Sequence, residues 1–329
     1  MKIDFVIMWV DGNDLKWRKE KNKFLAKDDE VNNDVRFRDW ELLKYWFRGI
    51  EKYTPWVNKV YFVTWGHIPD WLNIENDKLV IVNHKDFIPK KYLPTFNSHT
   101  IELNLHRIKE LSEHFVLFND DTFITNYMSE EDFFKHELPC ESAIVNPIIS
   151  IGNDHFPNVS TNNLQIINNH FSKKETIKKA FFKWYTPKYG KELIRTVSLT
   201  PWDRFPGFYN SHLPNSFLKN TFNEVWNKEF EILNATCNCK LRDNYTNVNQ
   251  WVIKYWQLAK NQFMPRSPKI GKYYEISDNN EEIKKSILNK TYKMVCLNDS
   301  VKINNFPKAK IELIDTFEKT LNIKSQFEK

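Results

Sequence analysis

The first 120 residues of this 329-residue chain alternate between short apolar runs and longer segments with helical periodicity. Each apolar run has at most eight residues, which suits a buried β-strand better than a helix. The runs are 3–10 (IDFVIMWV), 60–64 (VYFVT), 79–82 (LVIV) and 115–118 (FVLF). Strands that alternate with helices predict an α/β fold, in which a mostly parallel sheet is flanked by helices.

Helical spacing of apolar residues predicts two helices among these strands and a more helical second half. The predicted helices are 39–53, 98–112, 172–185, 188–198, 216–233, 246–260 and 307–321, with one late strand at 293–297. Residues 15–34 are charged and poor in apolar side chains, which indicates a mobile loop or an exposed helix.

Two of the predicted strands end in acidic residues. Asp11 follows the first run, and Asn119-Asp120-Asp121 follows the fourth. Ligands of parallel sheets bind beyond the carboxyl ends of the strands, and adjacent carboxylates repel each other unless a cation lies beside them. Asp120 and Asp121 are therefore candidate ligands for a divalent cation that bridges substrate phosphates. A plain turn or helix cap remains the alternative, because Asn and Asp favour both.

Several other charged residues are candidates by residue type. Asp4 lies inside the first apolar run, where a carboxylate is costly unless it is paired. Arg36, Arg38 and Arg48 surround the first predicted helix, and a planar guanidinium forms bidentate bonds to phosphate oxygens. For each arginine, a solvated helix face is the alternative.

His212 lies just before a predicted helix, and a histidine at such a junction can act as a general base near neutral pH. The chain has nine histidines, so most of them are expected to be ordinary. Arg242-Asp243 lies in a polar loop before the 246–260 helix, where a capping or surface pair is an equally good interpretation.

Charge and cysteine content restrict the partners. The 48 Lys and Arg against 42 Asp and Glu give a net charge of +6, which suits anionic substrates or an anionic membrane surface. No nucleic-acid-binding motif accompanies this charge, so we expect no nucleic acid partner.

Four cysteines without zinc spacing indicate reduced thiols. Without a signal peptide or an apolar span of ~18 residues, we expect a cytoplasmic protein, and peripheral attachment to the inner face of the cell membrane stays open.

Seven lysines between residues 173 and 191 are interleaved with aromatic side chains. Helices of this composition lie on anionic membranes. The alternative is a solvated helix face whose aromatic residues point into the core.

Several motifs together resemble the Stealth family, which includes bacterial capsule and exopolysaccharide phosphotransferases and the catalytic subunit of the animal lysosomal-enzyme GlcNAc-1-phosphotransferase. The motifs cover nearly the whole chain in the family's order. They are IDFV and WVDGND within 3–14, RFRD at 36–39, RGIE at 48–51, PWV at 55–57, IPDWL at 68–72, LPTF at 93–96, Glu102, HRI at 106–108, NDD at 119–121, HLP at 212–214, Arg242, CLND at 296–299 and SQFE at 325–328. Segment 140–200 matches no motif of the family, and Asp11 stands where many relatives have Asn.

This resemblance implies a GT-A-like α/β core that transfers a sugar 1-phosphate from a UDP-sugar to a glycan hydroxyl and releases UMP. The implied central active-site residues are Asp4, Asp121, His212 and Arg242, and the implied metal is Mg²⁺ or Mn²⁺ on Asp120 and Asp121. The implied substrate-binding residues are Trp9, Asp11 and Gly12 for uridine or ribose, Arg36 and Arg48 for phosphate or for bracing the site, and Asn298 and Asp299.

The expected partners are thus a UDP-sugar and a glycan acceptor, with a polyprenyl-linked acceptor as one alternative. We expect 1–135 to form the nucleotide-sugar-binding core, 136–205 to be a helical insertion that contacts acceptor or membrane, and 206–329 to complete the catalytic core. Two other functions stay open: a metal-dependent glycosyltransferase that releases UDP, and a non-enzymatic glycan-binding protein with an aromatic surface.

Overall fold

The computed structural model describes residues 1–25, 38–150, 155–300 and 302–329. Within these ranges the strands are β1 (Ile3–Trp9), β2 (Val60–Thr64), β3 (Leu79–Asn83), β4 (His114–Asn119), β5 (Thr122–Ile124), β6 (Phe134–Lys135), β7 (Leu138–Glu141), β8 (Asn215–Leu218), β9 (Met264–Pro265), β10 (Gly271–Glu275) and β11 (Met294–Asn298). The helices are α1 (Leu15–Asn22), α2 (Leu43–Tyr53), α3 (His84–Phe87), α4 (Ser98–Asn104), α5 (His155–His170), α6 (Lys173–Lys179), α7 (Phe181–Trp184), α8 (Leu193–Ser198), α9 (Lys219–Lys228), α10 (Phe230–Asn238), α11 (Trp251–Ala259), α12 (Glu281–Leu288) and α13 (Phe306–Thr320).

The central sheet has the strand order β3-β2-β1-β4-β8. Strands β1 to β4 run parallel, whereas β8 is antiparallel to β4. The prediction of an α/β chain with a mostly parallel sheet is therefore confirmed. The chain moves outward from β1 through β2 and β3 and then returns to its other side with β4. This reversal places a crevice at the carboxyl ends of β1 and β4, where ligands of such sheets bind.

A second sheet, β10-β11-β5, joins distant parts of the chain beside this crevice. Strand β5 starts one residue after the acid pair and runs antiparallel to β11. Strands β6, β7 and β9 form a third, smaller sheet. The second sheet thus brings the end of β11 close to the end of β4.

Two hydrophobic clusters cover the two faces of the central sheet. Successive side chains of a strand point to opposite faces, and β1 follows this rule: Val6 belongs to one cluster, whereas Phe5 and Ile7 belong to the other. The first cluster includes residues of α4, α9 and α11, and the second includes residues of α2 and α13. Burial on both faces explains why the first strand reads as a nearly continuous apolar run.

The element predictions hold best for the strands of the first half. The predicted 60–64 strand has the observed bounds of β2, and the second half is more helical, as expected. The predicted helix at 216–233 is corrected, because its first residues form β8 and the rest is divided between α9 and α10. The predicted helix at 98–112 ends as α4 at Asn104, followed by a short 3₁₀ turn.

The segment 15–34 contains helix α1, and its residues beyond 25 lie outside the described ranges. The expected domain boundaries stay a prediction, although β8 and β11 do join residues after 206 to sheets of the first part. None of the described helices is both long enough and apolar enough to cross a bilayer.

Candidate active site

The acid pair lies at the carboxyl end of β4, where the chain turns into β5. The turn is held by the backbone N–H of Leu297 in β11, which donates to the carbonyl oxygen of Asp121 at 2.8 Å. The Cys296 thiol donates to Asp121 Oδ2 at 3.5 Å. Asp121 Oδ1 is buried and has no hydrogen-bond partner among the described residues. An orphaned carboxylate oxygen of this kind is typical of a catalytic or ion-binding group.

The environment of both carboxyls opposes their ionisation. Asp120 is exposed to the cavity, but the surrounding protein atoms desolvate it and raise its pKa to about 6, with a further contribution from the negative charge of Asp39. Burial and the neighbouring Asp120 charge raise the pKa of Asp121 to about 7. The positive charge of Arg242 partly counteracts the shift at Asp120. Two carboxyls held in this way are stabilised when a cation binds between or beside them.

Strand β1 ends at the same crevice, beside the end of its hydrogen-bonded neighbour β4. Trp9 and Asp11 line the crevice. The backbone N–H of Asp11 donates to His67 Nδ1 at 3.1 Å, and Asp11 Oδ1 accepts from the backbone N–H of Asn13 at 2.8 Å. Gly12 lies just outside, where its carbonyl oxygen accepts a hydrogen bond from Arg18. The end of β1 therefore forms a rigid turn that presents Trp9 and Asp11 to the cavity.

His212 reaches this edge of the sheet because β8 is antiparallel to β4. Asn215 pairs with Leu117, so the residues just before β8 lie near the end of β4. His212 itself has a positive φ of 51°, which is uncommon outside glycine and often marks a functional constraint. Its ring lies edge-on to Trp251 at 5.4 Å between centroids. Burial, together with the positive charge of Lys254, lowers the pKa of His212 and favours the neutral imidazole.

Arg242 enters the cavity from the loop between α10 and α11. That loop is attached to the start of α4, because the Phe96 N–H donates to the Lys240 carbonyl at 2.8 Å. The Arg242 guanidinium donates to Ser98 Oγ at 2.8 Å. Its charge lowers the pKa of both Asp120 and Glu102, so it lies within electrostatic reach of both carboxyls. Arg242 is thus a cation of the cavity wall whose charge acts on the acid pair.

The end of β11 contributes the third wall. Asn298 and Asp299 both line the cavity. Asp299 accepts two hydrogen bonds from Arg38, at 2.9 and 2.6 Å, and a third from Trp40 Nε1 at 3.1 Å. Because these donors occupy its carboxylate, Asp299 fixes Arg38 at the cavity rather than offering a free anion.

These walls enclose one cavity of about 560 Å³, which is within the ~300–1,000 Å³ range of small-molecule sites. The sequence-predicted residues that line it are Trp9, Asp11, Asp120, Asp121, His212, Arg242, Asn298 and Asp299. The convergence expected of the first strand, the acid pair, the imidazole and the guanidinium is therefore observed.

The charge of the lining also bears on a metal. Its described residues include seven carboxylates and only three Lys or Arg side chains. An anionic diphosphate would be repelled by this wall unless a divalent cation neutralised part of the charge. No cluster of three or more His, Cys, Asp or Glu suited to a metal occurs within the described ranges. Two carboxylates nevertheless fit Mg²⁺, which usually keeps several waters and binds substrate phosphates.

Asp4 is the main correction to the expected site. It lies near the start of β1, at the end of the strand away from the crevice, and does not line the cavity. Its Oδ1 accepts from Asn58 Nδ2 at 2.6 Å and its Oδ2 from the backbone N–H of Ser112 at 2.8 Å. These hydrogen bonds satisfy a fully buried carboxylate and join the loops that precede β2 and β4. Asp4 therefore has a structural role.

Arg48 is also placed outside the cavity, on α2. Its guanidinium donates to both carboxylate oxygens of Glu328, each at 2.9 Å, and to the Leu321 carbonyl at 2.8 Å. It therefore attaches the C-terminal tail to the core and does not face the acid pair. Arg36 lies outside the described residues, so its expected role stays a prediction.

The prediction of the site missed a buried network beside Arg242. Glu102 accepts from the backbone N–H of Gln250 at 3.1 Å, and its carboxylate is 3.6 Å from His99 Nδ1. Burial alone would raise the pKa of Glu102, but the nearby His99 side chain, the hydrogen bond from Gln250 and the charge of Arg242 lower it below the usual value. Glu102 is one of the positions at which the chain resembles the Stealth family. This resemblance is the sequence signal that could have identified Glu102 as a site residue.

Known sequences match this chain along its whole length. Residues 1–29 match the Stealth protein conserved region 1, and residues 36–141 match the Stealth protein conserved region 2. The chain is 46% identical over 331 residues to the capsular polysaccharide phosphotransferase WcwK of Streptococcus pneumoniae, covering 100% of this chain and 98% of that protein. It is 41% identical to the exopolysaccharide phosphotransferase cps2G of Lactiplantibacillus plantarum, covering 99% and 96% of the two chains.

Two solved structures resemble the fold weakly. The galactosyltransferase LgtC in complex with donor and acceptor sugar analogs has a TM-score of 0.41 at 8% identity, over 96% of both chains. The glycosyltransferase GlyE of Streptococcus pneumoniae TIGR4 has a TM-score of 0.43 at 11% identity, over 98% of this chain and 62% of that one.

The full-length similarity to polysaccharide phosphotransferases is the decisive finding, because it spans every wall of the cavity. This chain belongs to the Stealth family.

Proposed function

We propose that this protein transfers a sugar 1-phosphate from a UDP-sugar to a hydroxyl of a glycan acceptor and releases UMP, in the synthesis of a capsular or exopolysaccharide. The names of its relatives support phosphotransfer in the synthesis of a capsular polysaccharide. The observation that carries the proposal is the presence of Asp120, Asp121, His212 and Arg242 on one cavity.

The residues of the cavity have different roles in the proposed reaction. Arg242 binds oxygens of the phosphoryl group that is transferred, and Trp9 and Asp11 bind the uridine end of the donor. Asp120 and Asp121 would hold Mg²⁺ or Mn²⁺, which when bound neutralises charge on the diphosphate. Phosphoryl transfer depends mainly on such positioning and charge neutralisation.

The proton moves to His212. The acceptor oxygen attacks the β-phosphorus, and a new O–P bond forms as the bond from this phosphorus to the bridging oxygen breaks. UMP leaves with the bridging oxygen. The neutral His212 ring accepts the proton of the attacking hydroxyl, and its lowered pKa keeps it in the required form at neutral pH.

The nucleotide product tests this mechanism. The protein is incubated with Mg²⁺, a panel of UDP-sugars and mixed oligosaccharide acceptors, and the released nucleotide is identified by mass spectrometry. UMP is expected. UDP as the only product would reject the phosphotransfer and support an ordinary glycosyltransferase.

Two variants separate an enzyme from a glycan-binding protein. Asp121→Ala and His212→Ala are expected to fold normally and to lose turnover, with His212→Ala lowering kcat by ~10²–10⁴. Retained glycan binding without turnover excludes a purely binding role. Unchanged function in both variants would reject the enzyme assignment.

We further propose that residues 172–204 hold the protein on an anionic membrane, beside a lipid-linked acceptor. These residues contain nine basic and three acidic side chains, so their net charge of +6 equals that of the whole chain. Large apolar side chains are also exposed here: Phe182 by 85%, Ile194 by 64% and Trp202 by 55%. Aromatic side chains beside lysines suit the interface of an anionic bilayer.

Contacts within residues 172–204 pack the helices of this segment against one another. The exposed side chains therefore belong to one structural unit. Lys173 Nζ donates to the carbonyl oxygens of Leu199 at 2.6 Å and of Thr200 at 3.3 Å, which attaches the end of α8 to the start of α6. The Tyr185 hydroxyl lies 2.7 Å from Thr200 Oγ1, and its ring stacks on Phe181 at 4.7 Å.

Vesicle sedimentation tests this surface. Binding to vesicles with phosphatidylglycerol is expected, with little binding to phosphatidylcholine alone and weakening at high salt. Replacing the exposed Lys174, Lys178 and Lys179 by Glu should abolish it. Vesicle binding that is unchanged in this variant would reject the surface.

A further inference from the structure

A second cavity, of about 320 Å³, lies on the other side of His212. Its lining consists of residues 209–212 and 271–273, and among the residues that the structure describes His212 is the one that lines both cavities. The proposed base therefore forms the partition between the two. From this position the base can take a proton from a substrate in the second cavity while the other substrate lies in the first cavity.

The lining of the second cavity has the chemistry of a sugar site. Tyr273 is 40% exposed, and its ring centroid lies 5.4 Å from that of His212. An aromatic ring can support the apolar C–H face of a pyranose. The Ser211 hydroxyl and the Asn210 amide supply hydrogen-bonding groups on the same wall.

Asn210 carries an independent signal of a missing ligand. Its Nδ2 donates to the Tyr255 hydroxyl, whereas its Oδ1 is buried and lacks a partner in the part of the chain that the structure describes. A buried carbonyl oxygen without a donor is unfavourable, because it has lost its hydrogen bonds to water. A hydroxyl from a ligand would satisfy it.

The backbone of this wall is rigidly placed. Strand β10 pairs in parallel with β11, with Tyr273 opposite Cys296. A Cβ on Gly271 would come within 2.7 Å of Leu213 Cδ1, so glycine allows the His212 loop to pack closely on β10. The distance between the Tyr273 and His212 rings therefore follows from the packing of the second sheet.

We propose that this second cavity binds the acceptor: a pyranose ring lies on Tyr273, one of its hydroxyls donates to Asn210 Oδ1, and the reacting hydroxyl faces His212. This assignment rests on the proposed function, and it adds the location of the acceptor subsite. The cavity borders the segment 172–204, because the Arg195 guanidinium lies 6.0 Å from the Tyr209 ring centroid. An acceptor anchored at a membrane would then reach His212 from that side.

Binding of simple glycosides tests the subsite without turnover. Methyl glycosides of glucose, galactose and N-acetylglucosamine are titrated by saturation-transfer NMR, with and without saturating UDP. We expect at least one glycoside to bind, and its binding to persist with UDP present, because UDP occupies the first cavity. Tyr273→Ala should weaken this binding at least about tenfold, and Asn210→Ala should also weaken it.

Control variants distinguish the loss of the Tyr273 ring from misfolding of the protein. Tyr273→Phe keeps the ring and should keep most of the binding, and Tyr127→Ala, at an exposed tyrosine outside both cavities, should have no effect. Displacement of the glycoside by UDP would overturn the assignment. Unaltered affinity in Tyr273→Ala, or no glycoside binding at all, would overturn it as well. Failure of the phosphotransfer would instead appear as the absence of UMP, which these binding measurements do not use.

Discussion

Asp120 and Asp121 are held side by side in surroundings that disfavour two negative charges. The cavity wall around them is rich in further carboxylates, and one oxygen of Asp121 has no described hydrogen-bond partner. If these two residues only stabilised the fold, replacing them by uncharged side chains would increase the stability of the protein. The divalent cation and the diphosphate that we propose at this site would explain the arrangement.

Asp121→Asn tests this explanation at one residue. The change keeps the shape of the side chain but removes a charged ligand, so Mn²⁺ affinity, measured by calorimetry or by electron paramagnetic resonance, should fall at least about tenfold. Without metal, the free energy of unfolding should be no lower than that of the parent. Asp4→Asn is the matched control, because Asp4 lies outside the cavity and should not alter Mn²⁺ affinity. Equal Mn²⁺ binding by Asp121→Asn and the parent would contradict a metal on this pair.

At saturating Mg²⁺, which keeps Asp120 and Asp121 ionised despite their raised pKa values, the pH dependence of the rate should reflect His212. A base must be neutral, so kcat/KM falls as the pH drops through the pKa of this imidazole. Burial and Lys254 lower that pKa below its usual value of ~6.5, so activity should persist to a lower pH than for an exposed histidine. Lys254→Gln removes the nearby charge, which should move the acid limb to higher pH.

The matched control is Lys260→Gln, just beyond the end of the same helix, where the ammonium pairs with Glu224 at 2.7 Å. This change should leave the acid limb in place. Lys254 also pairs with Glu141 at 3.2 Å, so thermal unfolding of both variants is measured alongside the rates. An acid limb that does not move in Lys254→Gln would argue against this electrostatic control of His212.

The ion pair between Arg48 and Glu328 should matter for stability rather than for substrate binding. Both side chains are at most 7% exposed. Arg48→Met leaves a buried carboxylate without its partner, which should cost ~3–5 kcal/mol in the free energy of unfolding by urea. Arg195→Met removes a more exposed pair and should cost less than ~1 kcal/mol. Similar losses in the two variants would show that the Arg48 pair is not the anchor of the tail.

At the scale of elements, the contact between α2 and β5 positions the acid pair. Strand β5 follows Asp121 directly, and the other side of β5 is fixed by its pairing with β11. Gly49 allows α2 to approach closely, because a Cβ there would lie 2.8 Å from the Ile124 carbonyl oxygen. A backbone oxygen of a paired strand cannot move aside easily.

Gly49→Ala should therefore destabilise the protein. Alanine favours a helix over glycine by ~1 kcal/mol, but overpacking against β5 should outweigh this gain and give a net loss of ~1–3 kcal/mol in the free energy of unfolding. Asn223→Ala, at an exposed site of helix α9, has only the gain in helix propensity and should be neutral or stabilising. A stabilised Gly49→Ala variant would show that the close approach is not maintained in solution.

At the scale of the whole molecule, the two ends of the chain complete each other's sheets. Strand β8 covers the edge of β4 along four residue pairs, and β11 pairs with β5. The first 135 residues alone would expose that edge and part of both hydrophobic clusters.

A fragment of residues 1–135 should therefore fail to fold, whereas the full chain should unfold in one cooperative transition. Near-ultraviolet circular dichroism and amide NMR spectra of the fragment, compared with the full chain, measure this. Dispersed amide signals and cooperative unfolding of the fragment would instead identify 1–135 as an independent domain.

Local patterns were sufficient for the strands β1 to β4, for helices such as α2, α11 and α13, and for the types of residue at the site, whereas helices α5 and α12 were not predicted. Residues two apart share a face of a strand and residues three or four apart share a face of a helix, so these elements can be recognised from neighbours in sequence. The motifs that resemble the Stealth family added Arg242, which carries almost no signal by itself.

Tertiary structure alone decided which of these residues meet. Asp4 and Asp121 have the same side chain, but they lie at opposite ends of adjacent strands, and hydrogen bonds occupy Asp4. The short β8 carries too few residues to show a period, so the sequence pattern predicts the start of a helix there. Its pairing with β4, more than 90 residues earlier, places His212 between the two cavities. Contacts between segments so distant depend on how sheets assemble, which no local spacing encodes.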